Sequence, residues 1–531
     1  MNPVNQRGFG KALGSSVPWG ILALLTLGVV GVFLLGYHTR FGAAMNGDAV
    51  QYVAGARSIL AGDGFGMPDG FGEVQPLVAM PPFFSTVLAA VGLIGVDPLQ
   101  GARYLHVVLY GLNIILAGVL VYRNSGSSVP AVLVGLWFLT STILLAIHTF
   151  ALTEPLFITL LLLCFYLLNR FSESNALAWL FAAGISAGFA AITRFAGLAL
   201  IAAGALSLLA LTTRPRRRRL FDSLIFGVLG VVPFLLWSWR NIQLGGSATA
   251  RQVQFMITRT RLVLDLGNAS TWFLPDTIER GLRILIFVGL ILLFAAFILH
   301  LVRRVFLRGE AAESSRWFLV LLGVFILSYI AMMAGSMAYL DATMRINHRY
   351  LSPAVITAMM LIGIILYREM VTHPANSWVR NGVMLLLGIV LTLNAWRLVQ
   401  FLQDPTINYG LSDPRFSSET IQAIDQLDAS IPIITDQREK VYILTGRTPH
   451  SVPHGIHGFT QQPREDLPEQ MNVFRGLLAQ GAVFAMFDEY LLSQSSPVAG
   501  TLVEGLVILL DTVDGTLYVD PAAWPNLQTD G

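Results

Sequence analysis

The sequence predicts an α-helical polytopic membrane protein of about eleven spans, carrying a small C-terminal α/β domain outside the cytoplasm. Three observations lead there. Hydrophobic residues make up 54% of the 531 and charged residues 12%, with a mean hydropathy of +0.64, too apolar for a soluble chain of this length. Apolar runs of spanning length recur from Val17 to about residue 400, separated by short arginine-bearing turns. Beyond Gln403 the pattern changes to short β-branched runs alternating with helical stretches. The expected division is therefore a membrane-embedded part at 1–402, with a large first outer loop at 38–101, and an extracytoplasmic domain at 403–531.

Composition also narrows the chemistry. The single cysteine, Cys164, lies inside an apolar run, which rules out an intrachain disulfide and a thiolate metal site. The segments GDGFG and PDGFGE are too short, and lack the flanking strand, for dinucleotide loops, and no P-loop pattern occurs. Cytoplasmic ATP-driven chemistry is therefore unsupported. The net charge of +2 says little by itself and gives no indication of a nucleic-acid partner.

Arg7 and Lys11 precede the first apolar run, Val17–Tyr37, which is longer than a signal-peptide core and reads as an anchor with a cytoplasmic N-terminus. Asn46–Gly66 follows as a short polar helix and glycine-rich loop. Asn46 suits the N-cap, Asp48 falls in the first turn, and Asp48, Tyr52, Gly55 and Ile59 share one face. Pro82–Val96 is only about fifteen residues and opens on a double proline, so it reads as an interfacial or re-entrant helix. Spans are expected near 102–122, 128–147, 155–169, 176–193, 195–213, 220–239, 281–302, 317–338, 351–367 and 381–400.

With 82–96 not crossing, Arg123, Arg170, Arg214, Arg216–Arg219, Arg303, Arg304, Arg308, Arg316, Arg368 and Arg380 all fall on the cytoplasmic side, as the positive-inside rule requires. In the tail, Ile431–Thr435, Ala482–Phe487, Leu506–Leu510 and Leu517–Val519 read as strands. Ser418–Leu427 and Arg464–Ala479 read as helices, and Asp514-Gly515 as a hairpin turn.

Several polar groups stand on the outer side. Asp48 either stabilises its helix start or serves as a general base or metal ligand at the bilayer edge. Glu154, followed by Pro155, either opens a span or holds a ligand, since a carboxylate at that depth is costly alone. Arg194, Arg240, Arg251, Arg259, Arg261, Arg345 and Arg349 put guanidiniums where positive charge is disfavoured. An anionic ligand or headgroup snorkelling accounts for them, and the guanidinium fork suits phosphate. His450, His454 and His457 resemble metal-ligand spacing, but Pro453, Gly455 and Gly458 keep them off one helical face, so they read as a solvated loop.

The order GDAVQYVAGARSILAGDGF, MPPFF, TEPLF, TRFAGL, WSWRN and HRYLSP resembles the GT-C integral-membrane glycosyltransferases, in particular family 39 and its relatives, the protein O-mannosyltransferases and aminoarabinose transferases. The resemblance covers most of residues 15–400. It implies a polyprenyl-phosphate sugar donor, a lipid, glycan or protein acceptor outside the cytoplasm, and a multi-pass protein of the plasma membrane. It also implies that Asp48 is the catalytic carboxylate; Glu154 is expected to hold the acceptor or assist. Arg240, Arg349 and Arg194 would take the donor phosphate; Tyr52, Arg57 and Glu73 would belong to the substrate loop, with Gly62–Gly72 closing over the sugar.

Close relatives often carry an acidic pair at the first-loop helix start and Glu-Lys before the double proline. Here the residues are Asp48-Ala49 and Ala79-Met80. A divalent metal is the one cofactor this leaves open, and no residue is assigned to it. The competing class is a transporter or lipid flippase whose buried charges form a path. It would call for an inverted repeat or paired Gly/Pro-broken spans, and the sequence has neither.

Overall fold

The computed structural model describes residues 19–71, 73–211, 214–245, 247–251, 253–255, 259–270, 278–308, 313–341, 344–372, 377–403, 418–456, 463–487 and 499–524. The chain opens on α1 (Trp19–His38) and α2 (Gly47–Ala61), then a two-stranded hairpin of β1 (Gly66–Pro68) and β2 (Val74–Pro76), and α3 (Phe83–Gly92). There follow α4 (Pro98–Ser125), α5 (Ser128–Thr140), α6 (Thr142–Thr149), α7 (Glu154–Ser174), α8 (Leu177–Thr193), α9 (Gly197–Leu209) and α10 (Arg216–Gly245). The helical part closes with α11 (Arg259–Ser270), α12 (Arg280–Arg308), α13 (Glu313–Tyr339), α14 (His348–Thr372) and α15 (Ser377–Gln403).

A helix thus stands at every segment expected to span. Among the described residues six are each long and apolar enough to cross alone, and α5 with α6 makes a seventh. That pair departs from the single span expected at 128–147, because the axis bends by 56° at Ser141. Ser141 leaves the helical conformation and its hydroxyl caps the Leu144 amide, the local competition by which serine interrupts helices. The helix α3 has ten residues. At 1.5 Å per residue it reaches about half of the hydrocarbon thickness, in line with an interfacial helix.

In α7, 83% of the spanning window is buried, against 28% in α1, so α7 is the central post of the bundle. Close crossings rely on small residues: a Cβ on Gly111 of α4 would sit 2.6 Å from the carbonyl oxygen of Gly28 in α1.

The tail forms α16 (Glu419–Gln426), β3 (Ile433–Thr435), α17 (Arg438–Thr445), β4 (His450–Ser451), α18 (Leu467–Ala479), β5 (Val483–Met486), a turn of helix at Ala499–Leu502, β6 (Val507–Thr512) and β7 (Gly515–Val519). The sheet order is β4-β3-β5-β7-β6, parallel across its first three strands and antiparallel across the last two pairings. Alternation along the strands builds two cores. Ile433, Val483, Ala485, Leu517 and Val519 face α16 and α17, while Ile434 and Phe484 face Phe474 and Leu478 of α18. The strands and the hairpin lie where the β-branched runs and Asp514-Gly515 put them.

Candidate active site

Two helix starts are placed side by side by main-chain hydrogen bonds. The Ala44 amide donates to the Thr149 carbonyl (2.9 Å) and the Ala151 amide to the Ala44 carbonyl (2.9 Å), a short parallel bridge that sets the entry to α2 against the entry to α7. On one side Asn46 caps α2, its Oδ1 accepting from the Ala49 amide at 3.0 Å, and Asp48 occupies the first turn. On the other side Glu154 and Pro155 open α7. Behind Pro155 a buried network fixes the start of α7. The Asn113 amide lies 3.2 Å from His148 Nε2 and donates to the Pro155 carbonyl, while the Thr159 hydroxyl donates to Asn113 Oδ1 at 2.8 Å.

Two arginines converge on these carboxylates from other parts of the chain. Arg349, in the first turn of α14, donates from Nε to Glu154 Oε1 and lies 2.9 Å from Asp48 Oδ2 through Nη1. Arg194 has an extended backbone in the turn between α8 and α9. Its Nη1 reaches Glu154 Oε1 at 2.5 Å and Thr153 Oγ1 at 2.9 Å. Tyr350 lies under both guanidiniums, 5.7 Å from Arg194 and 5.4 Å from Arg349, and its carbonyl accepts from the Tyr329 hydroxyl at 2.7 Å. Two carboxylates and two guanidiniums thus form one alternating chain with no formal net charge.

Exposure separates the roles. The Asp48 side chain is 39% exposed, Arg349 18%, Arg194 11% and Glu154 1%. Asp48 is the more exposed of the two carboxylates. Glu154 is enclosed, and its Oε1 holds both guanidiniums. Tyr52 is buried beneath, its ring edge against Phe84. Burial, and then the Asp48 carboxylate, push its phenol well above the ordinary range, so it stays protonated.

The remaining expected residues are placed elsewhere. Arg240 donates to the carbonyls of Phe65 (3.2 Å) and Leu77 (3.3 Å) and stacks on Trp237, so in this structure its donors serve the first outer loop. Arg57 pairs with Asp97 at 3.0 Å, toward the far end of α2. Glu73 is exposed on the β1–β2 hairpin, its carbonyl accepting from the Asp69 amide. Gly62–Phe71 is not a free loop, because the β1 strand within it pairs with β2; Gly72 lies outside the described residues. Neither is His450 solvated: it lies in β4 with its ring against Phe71. His457 lies outside the described residues.

The sequence reading missed a support behind Arg349. The loop expected at 240–280 contains α11, from which Arg261 donates to the carbonyls of Met337 (3.2 Å), Asp341 (3.1 Å) and Met344 (2.5 Å). The buried Asp265 stands 3.6 Å from Arg345, four residues before Arg349. These bonds tie down the turn that delivers Arg349. A cationic residue spent on carbonyls has no signature in its own sequence window. Among the described residues no group of three or more His, Cys, Asp or Glu side chains is arranged to hold a metal ion.

Comparison with known proteins bears on the fold. The chain aligns over 96% of its length, and 98% of the other's, with ArnT from Cupriavidus metallidurans in a crystal structure bound to undecaprenyl phosphate (TM-score 0.57, 15% identity). It also aligns over 96% of its length, and 74% of the other's, with the archaeal oligosaccharyltransferase AglB from Archaeoglobus fulgidus (TM-score 0.55, 12% identity), solved with an inhibitory peptide and a dolichol-phosphate. The fold is that of the GT-C membrane glycosyltransferases. At these identities the GT-C fold is what is shared. The dolichyl-phosphate-mannose-protein mannosyltransferase (PMT) family model matches residues 71–264, a stretch that contains Glu154, Arg194 and Arg240 and lies between Asp48 and Arg349. No curated protein matches the sequence.

Proposed function

We propose that the protein is a glycosyltransferase that moves one sugar from a polyprenyl-phosphate donor to an acceptor on the outer face of the plasma membrane. The observation that carries this is the Asp48–Arg349–Glu154–Arg194 chain, in which an accessible carboxylate is held by a guanidinium anchored from behind by a buried one. The acceptor hydroxyl oxygen attacks the anomeric carbon, the bond from that carbon to the donor phosphate breaks, and the lipid phosphate leaves with the electron pair. Asp48 takes the hydroxyl proton. Arg349 pairs with the phosphate oxygens as their charge grows, and Arg194 keeps Glu154 from drawing Arg349 back.

Coupling of the two steps follows from the pairing. When Arg349 turns from Asp48 to the phosphate, the carboxylate loses its counter-ion and becomes the stronger proton acceptor. Arg240 keeps the first outer loop in place instead of meeting the phosphate. The test is transfer from polyprenyl-phosphate sugars, with several labelled donors presented to the purified protein in detergent with lipid, glycan and peptide acceptors. Absence of transfer and of donor binding across the set would overturn the reading.

Donor binding locates the phosphate. Arg349→Ala should weaken it by roughly ten- to a hundredfold, the loss of a charge-assisted bond worth about 1.5–3 kcal/mol, while Arg217→Ala at an exposed position should leave it unchanged. Equal small effects in a titration with labelled donor would reduce Arg349 to a structural ion pair.

The orientation proposed puts the N-terminus in the cytoplasm and the site outside. At the end of the bundle away from the site, Arg123 and Arg170 both meet Glu173, and Arg368 donates to the Asn124 carbonyl, a belt of arginines suited to the cytoplasmic face. Arg217→Cys and Asp425→Cys, each in a Cys164→Ser background, should react with an impermeant thiol reagent from opposite sides. Labelling of both from one face would mean an odd error in the number of crossings.

A further inference from the structure

The C-terminal sheet unit touches the first outer loop at several points. Tyr442 of α17 shares an apolar cluster with Val50 and Ala54 of α2 and with Met67 of β1. Arg438 donates to the Pro68 carbonyl at 2.7 Å, at the end of β1. His450 receives Phe71 edge-on, with ring centroids 4.5 Å apart. Gly70 fits against the same imidazole so closely that a Cβ there would lie 2.4–2.6 Å from three of its ring atoms.

The loop is also tied to α10. Arg240 holds the Phe65 and Leu77 carbonyls, the Asn241 amide donates to the Val78 carbonyl at 3.0 Å, and Trp237 meets the Phe65 ring. The Phe65 ring in turn rests on Gly55 of α2, where a Cβ would come within 2.5 Å of it.

From these two sets of ties we infer that the C-terminal unit is a positioning element of the active site. Through Arg438, Tyr442 and His450 it holds the β1–β2 hairpin and α2 so that Asp48 faces Arg349, and the hairpin is a strut rather than a moving lid. The inference rests on the proposed reaction for its kinetic consequence, but not for its structural one. A strut removed from one side lets α2 rotate or slide by a fraction of an ångström. That displacement costs orientation at the proton-accepting carboxylate while the donor phosphate, held from α14, is still bound.

Two measurements on the full chain test it. Arg438→Ala should lower kcat about tenfold, leave donor affinity within about twofold and raise deuterium uptake in residues 47–61; Arg438→Lys, which can still donate to the Pro68 carbonyl, should recover most of both. In a Cys164→Ser background, Gly70→Cys with His450→Cys brings two Cβ atoms to within about 4 Å, the separation a disulfide needs. The reduced double variant should be slow and the oxidised one restored toward the parent. Further loss on oxidation would make the hairpin a lid and overturn the inference, as would unchanged kcat and unchanged exchange in Arg438→Ala. If the parent transfers no sugar at all, the functional reading fails, and the exchange comparison still decides whether the C-terminal unit orders α2.

Discussion

Asp48→Asn should insert and fold as the parent does, bind donor within severalfold, and turn over about a hundredfold more slowly or worse. Asparagine has nearly the same size, and at a helix start it is tolerated as well as aspartate, so α2 is not expected to loosen. What it lacks is a basic carboxylate, and a positioned proton acceptor contributes on the order of a hundredfold or more. The structure adds a control. Asp48 is ion-paired to Arg349, so Asn also releases one side of that guanidinium while leaving its bond to Glu154. Donor affinity should therefore hold or improve, since the phosphate no longer competes with a carboxylate for Arg349. A fall in affinity together with parent-like turnover would remove Asp48 from the chemistry and leave it an anchor for α14. Transfer kinetics and equilibrium binding measured on the same purified sample separate the two outcomes.

Most of the helical scaffold was legible because membrane spans announce themselves by length and apolarity, which local sequence carries in full. The four residues at the centre of the site were legible for a related reason. Asp48, Glu154, Arg194 and Arg349 are groups that are expensive at the membrane surface or within it, so each demanded an explanation before any partner was known. What the sequence could not say was how those demands are met. Arg240 raised the same demand and is satisfied by the Phe65 and Leu77 carbonyls, which look the same in every sequence. Arg57 is satisfied by Asp97, forty residues along. The bend at Ser141, the hairpin at Gly66–Pro76 and the helix α11 depend on tertiary contacts that a hydropathy window averages away. His450 read as solvated because the residue that covers it, Phe71, lies nearly four hundred positions earlier and belongs to another layer of the fold.

Glu154 should prove the costliest single position for stability. Its Oε1 holds both Arg194 and Arg349, and its side chain is 1% exposed, so Glu154→Gln leaves two guanidiniums facing each other in a dry site. Removing one partner of a buried pair costs about 3–5 kcal/mol, most of it from the charge left behind. The variant should unfold at a clearly lower temperature in detergent, followed through its tryptophans. Turnover should fall too, because Arg349 loses the anchor that fixes its reach toward Asp48. Pairing it with Arg194→Met separates the two consequences. Taking out a guanidinium as well as the carboxylate removes the repulsion and replaces a buried charge by an apolar chain of similar length, which should return much of the stability. Transfer should stay low in the double variant, since neither change restores the hold on Arg349. A loss below about 1 kcal/mol in Glu154→Gln would mean that water reaches the pair and that the alternating charge chain is not the dry, pre-set arrangement required to receive a phosphate.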